Sequence, residues 1–143
     1  MGSHGALWRF SGRWKPDTED LLALEHSGQL MCDYYYTTIM IHRPLISRGV
    51  DHYPGLEMCT SAASACVAVL DVMASRLVLL SPHLCYIAWA CGIVLLTKLW
   101  VLEQSDPLGD VDPVRSDLRR CIQMLRAVAK RWDLAFQGVV FVD

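Results

Sequence analysis

Four stretches of the chain repeat apolar residues at steps of three and four, the period of a helix buried along one side. The first is predicted over 18–42. Leu21, Leu24, Met31, Tyr35, Thr38 and His42 fall on one stripe of it, and Leu22, Leu30, Tyr34 and Ile41 on another, so the helix is expected to pack on two flanks. Glu25, Gln29, Asp33, Tyr36 and Met40 make its wetter side. Asp17 or Thr18 can cap its start, and Pro44 is expected to stop it, because the residue before proline is pushed away from helical angles.

A loop over 46–55, rich in Gly and Pro, leads to a second helix over 56–77. Cys59, Ala62, Ala63, Cys66, Val69, Leu70 and Met73 recur there at helical spacing, and the small members permit close helix approach. Ser81 and Pro82 read as a cap and a first helical position. The third helix, over 82–104, is apolar nearly all round and is therefore expected to be central. The acidic stretch 105–113, with two prolines and a glycine, is the clearest break. Beyond it Val114, Leu118, Cys121, Ile122, Leu125, Val128 and Trp132 mark a fourth helix that Gly138 can terminate. Residues 139–143 are short, apolar and β-like.

The pattern predicts an all-α bundle of four principal helices. Residues 1–16 read as an irregular arm whose aromatics dock on the body, 17–138 as a single helical domain and 139–143 as a tail. A length of 143 residues suits one such domain. The hydrophobic fraction of 53% is high for that length, so the core is large or an apolar face is covered by something else. Thirteen basic residues against fifteen acidic ones give no argument for bulk nucleic-acid binding.

None of the six cysteines sits at Cys-x-x-Cys spacing, and most fall inside apolar helical patterns. They read as reduced, buried thiols of an intracellular protein and not as a metal site. No signal peptide is visible at the start of the chain. The charge-free run from Leu84 to Thr97 is shorter than the roughly 20 residues a spanning helix needs, so a buried core helix is expected and no membrane.

One ordered set of residues has a wider meaning. Tyr34, Tyr35 and Tyr36 precede Ile39, Met40, Ile41, His42, Arg43, Pro44 and Leu45, and Cys59 follows with Ala62 and Ala63. This resembles the later part of the regulatory domain of fungal zinc-cluster transcription factors, also called the middle homology region. There, an aromatic-rich helix ends in His-Arg-Pro and the next helix carries a Cys followed by an Ala pair. Cys121, Leu125, Trp132 and Ala135 match the closing helix, so the resemblance runs from about Leu21 to Ala135. It implies a helical regulatory domain that answers to small effectors and protein partners, including a second copy, in the nucleus or cytoplasm. The family's zinc cluster and the earlier half of the region are missing, so direct DNA binding is not expected. The alternative is a stand-alone helical protein, repurposed in fungal secondary metabolism as an enzyme or carrier for a hydrophobic metabolite.

Candidate ligand-binding residues are Tyr34, Tyr35, His42, Arg43, Trp89 and Trp100. A buried tyrosine hydroxyl needs a partner, which a ligand can supply. Five tryptophans are either core or the lining of an aromatic pocket. His42 and Arg43 sit where cations neutralise a helix's carbonyl end, which is a structural role as well as a possible ligand corner. Arg115, Arg119, Arg126 and Lys130 share a helical stripe that either meets an acidic partner or is a solvated face. No phosphate loop, zinc pair or nucleophile elbow is present. If the chain catalyses, cofactor-free cyclisation or isomerisation of a small molecule is expected, with Asp33, Tyr35, His42 and His83 as candidates.

Overall fold

The structure is a computed structural model that describes residues 14–46, 54–76, 78, 80–105 and 108–142, without the side chains of 135, 136 and 138–142. Among them are four helices: α1 (Leu21–Ile46), α2 (Gly55–Ser75), α3 (Pro82–Ser105) and α4 (Asp112–Val142). The all-α expectation holds. Cross-helix pairs give the topology. Cys59 meets Ile39, Lys98 meets Glu57 and Arg115 meets Glu103, so successive helices run up, down, up and down.

α2 is the central helix, not α3. Both pack on all three other helices, but the contacts of α2 are the more extensive, above all with α1, while α1 and α4 barely meet. The reason lies in side-chain size. Cys59, Ala62, Ala63, Cys66, Val67, Val69, Leu70 and Met73 are all buried, and the short ones among them, Cys59, Ala62, Ala63 and Cys66, let three neighbours approach at once. A close approach is at Gly28 of α1, where a Cβ would lie 2.4 Å from the Met73 sulfur. Without Gly28, the Met73 side chain or the helix contact would have to shift.

The helix ends depart from the expected boundaries. Asp20, not Asp17 or Thr18, caps α1: its Oδ1 accepts from the Leu22 and Ala23 amides at 3.1 and 3.2 Å. Thr18 is used one step earlier, accepting from the Asp20 amide. Pro44 does not end α1, which continues through Leu45 to Ile46. The i−4 bond that proline forfeits falls in the last turn, where interrupting the ladder removes little. Ser81 does cap α3, accepting from the Leu84 amide at 3.3 Å. Gly138 does not end α4, and 139–142 are helical instead of β-like. A glycine without a following turn is merely a weak helix residue.

The burial pattern corrects the faces as well. On α1 the buried residues are Leu24, Gly28, Met31, Cys32 and Ile39, a single stripe. The second flank is solvent-exposed at Leu22, Leu30 and Ile41, and Leu21 is exposed too. Tyr36, placed on the wetter side, packs against the core edge. On α4, Cys121 and Met124 are buried, Val114, Leu118 and Leu125 pack on the core, and Ile122 and Trp132 are exposed. Arg119, Arg126 and Lys130 form a solvated face.

Trp14 packs against the core, and Arg76 ties the approach to α1 in place. Its Nη1 and Nη2 donate to the Pro16 and Thr18 carbonyls at 2.6 and 2.5 Å. The rest of the arm, with Trp8 and Phe10, and the loop 47–53, with His52, lie outside the described residues. α2 and α3 are both long and apolar enough to cross a membrane, by length and composition. α2's apolar surface is spent on its three neighbours, whereas α3 keeps an open side.

Overpacking at the Gly28 contact is testable. Gly28→Val is expected to lower stability by about 1–3 kcal/mol. Urea unfolding measures it, and adding Met73→Ala should recover part of the loss. An unchanged midpoint would show that the helices can separate freely there.

Candidate functional site

The sequence candidates divide between two sides of α1, because residues two apart on a helix diverge by about 200°. Tyr34, Tyr35 and Thr38 face α2 and, with Glu57, Met58, Ser61, Ala62 and Ala65, line a groove of about 430 Å³. That volume lies within the range of small-molecule sites. Its floor exists because Ser61, Ala62 and Ala65 are small, and its wall is the two tyrosine rings, edge to face at 5.4 Å.

The groove is apolar with a few polar points. Burial pushes the Tyr35 hydroxyl's pKa up, with help from Tyr34, so it remains a neutral donor throughout the physiological range. The Thr38 hydroxyl is engaged with the Tyr34 carbonyl at 3.1 Å. Glu57 sits at the rim, paired to Lys98. Tyr35, Ser61 and Glu57 therefore offer hydrogen bonds at the edge of an aromatic slot. Such a slot fits a small hydrophobic molecule that carries one or two polar groups.

On the far side of α1, Asp33 and His83 come together: Asp33 Oδ1 lies 2.7 Å from His83 Nε2. One turn further, Tyr36 and Tyr86 meet at 6.0 Å, and Tyr86 leads on to Trp89 at 5.8 Å. The Tyr36 pKa is raised, chiefly by its hydrogen bond to Tyr86. A second groove of about 520 Å³ follows along the same seam, lined by Met40, Arg43, Pro44, Ile46, Leu56, Ile93, Val94 and Thr97. Of the four catalytic candidates, only Asp33 and His83 are joined. Tyr35 belongs to the other groove, and His42 lies two turns beyond Tyr35 on α1.

Of the four described tryptophans, three are not core, and none of the four closes a pocket. Trp89, Trp100 and Trp132 are each more than half exposed, and Trp14 alone packs inward among those described. Neither Trp89 nor Trp100 reaches the tyrosine groove. Ala62 was legible as a means of close packing, but neither it nor Ser61 and Ala65 was legible as the floor of a slot. That requires knowing that Tyr34 and Tyr35 stand opposite them.

All six cysteines are free thiols. Cys32, Cys66, Cys91 and Cys121, one from each helix, gather at the centre of the bundle. Hydrogen bonds from Cys32 and Cys91, then burial, push the Cys66 thiol's pKa far up. The Cys121 thiol donates to the Ala88 carbonyl at 2.9 Å. Among the described residues no group of three or more His, Cys, Asp or Glu is arranged to hold a metal ion.

Burial pushes Cys121 from its usual 9.0 up to about 11. Below pH 9 the thiol is neutral in both states. As pH rises towards about 11, the unfolded chain releases a proton that the folded chain keeps, so stability falls across that window. Thermal unfolding across alkaline pH should show this fall, and Cys121→Ala should make it shallower. Equal slopes would mean that the thiol ionises as readily in the fold as out of it. Comparison with protein-family models, with curated protein sequences and with solved structures gave no match.

Proposed function

We propose that this chain is an effector-binding regulatory domain of the kind found in the later part of the fungal zinc-cluster regulatory region, working without a DNA-binding module of its own. The tyrosine groove between α1 and α2 is the observation that carries this reading. It joins the aromatic run of the resemblance, Tyr34 and Tyr35, to its small-residue helix, Ala62 and its neighbours. The part of the sequence that carries the family likeness thus also encloses a ligand-sized apolar slot. A small hydrophobic molecule with a hydrogen-bonding group is its natural occupant, with Tyr35 and Ser61 as anchors. In this reading the protein acts inside the cell, in the nucleus or cytoplasm, and binding stiffens the α1–α2 contact on which the bundle rests.

A neutral fluorescent naphthylamine tests the groove. It is expected to bind with a dissociation constant in roughly the micromolar range. Ala65→Phe, which fills the slot from a half-buried position, should weaken binding by about tenfold or more. Unchanged affinity in Ala65→Phe would remove the groove as the site.

The Asp33–His83 pair favours a second reading, a small helical enzyme acting on a hydrophobic metabolite. A histidine held by a carboxylate is the usual form of a general base. The two readings separate on one variant. His83→Gln is expected to leave probe affinity within about twofold, because the pair lies across α1 from the groove. A turnover of any candidate metabolite that falls about a hundredfold in His83→Gln would establish the enzyme instead.

A further inference from the structure

α3 turns Tyr86, Trp89, Ile93, Leu96 and Trp100 outward, each 43 to 63% exposed. They recur at alternating steps of three and four, the seam spacing of two helices that wrap one another. Its own core is served by the opposite side, where Leu84, Ile87, Ala88, Cys91 and Leu95 are buried. Met40 of α1, also exposed, widens the patch. We propose that this face pairs with the same face of a second copy, antiparallel, about a twofold axis passing near Ile93.

Three features point to a second copy. The seam is nearly symmetric about its centre: Tyr86 and Trp100 each stand seven residues from Ile93. Antiparallel pairing sets Tyr86 against the partner's Trp100 and leaves the smaller Ile93 and Leu96 where the helices approach most closely. The charges on the flank match as well. α1 runs parallel to α3, so Asp33, with His83, marks one end of the seam, and Arg43, beside Thr97, marks the other. The twofold axis brings Asp33 opposite the partner's Arg43, and the opposed helix dipoles add to the attraction. The five seam residues, about half exposed, offer roughly 500 Å² per copy, or about 1,000 Å² in the pair, the lower bound for a specific interface.

A lipid surface suits the face less well. Asp33, His83 and Arg43 rim it and would have to enter the headgroup boundary with their charges. The pairing is independent of the tyrosine groove, which opens on the other side of α1.

Sedimentation equilibrium on the full chain, from roughly micromolar to sub-millimolar concentration, is expected to show a reversible dimer. Ile93→Asp should raise its dissociation constant by about tenfold or more. Leu96→Glu should do the same from a second exposed position, with circular dichroism confirming that each variant stays helical. Arg43→Glu should weaken the dimer, and adding Asp33→Arg should restore it. A wild-type monomer throughout, or a dimer indifferent to both seam variants, would overturn the proposal. Failure of the double swap to restore association would overturn the antiparallel arrangement. Flotation of a monomer with phosphatidylcholine vesicles, lost in Ile93→Asp, would assign the face to lipid instead.

Discussion

Everything in this fold depends on how closely α2 can be approached. A helix that must touch three others cannot carry large side chains on every contact face, and α2 meets the requirement with Ala62, Ala63, Cys59 and Cys66. The larger Val67, Leu70 and Met73 are fully buried among them. Gly28 completes the arrangement from the α1 side, since any side chain there would meet Met73. The same economy makes the tyrosine groove: where α2 is small and α1 is aromatic, the surfaces fit at the core and part at the edge.

The cysteines belong to this constraint. A thiol is barely larger than a methyl group, tolerates apolar surroundings and can place its weak donor on a nearby carbonyl, as Cys59 does on Ile39 and Cys121 on Ala88. Four helices can thus meet at Cys32, Cys66, Cys91 and Cys121 without leaving a polar atom stranded: among the described residues no buried side-chain nitrogen or oxygen lacks a partner. Burial also helps to keep the Cys66 and Cys121 thiols protonated, and so inert.

The helices and the stripe of α2 were legible in the sequence, because a face that is apolar or small at every helical step has only one interpretation. Residues that serve two surfaces were not. α3 is apolar all round, which reads as central, yet the same composition describes a helix with a core on one side and an open seam on the other. Tyr36 read as wet by its place on the wheel, but α3 lies against that flank of α1. Pro44 and Gly138 misled for a shared reason: a breaker near the end of a helix disturbs only bonds that the end was about to lose. The Asp33–His83 pair joins residues fifty positions apart, a juxtaposition that no local spacing announces.

The placement of α1 beside α2 also bears on how the chain is made. They are neighbours in sequence, joined by a short connection, and share the most extensive contact in the bundle. Contacts this local close small loops and form early. The hairpin, with Gly28 seated on Met73, can therefore form before α3 has left the ribosome, and would give α3 and α4 a surface to dock on. The ligand-sized slot lies within that hairpin and so belongs to the oldest structure in the life of each molecule. A small molecule able to enter that slot would find it open before the rest of the bundle is in place.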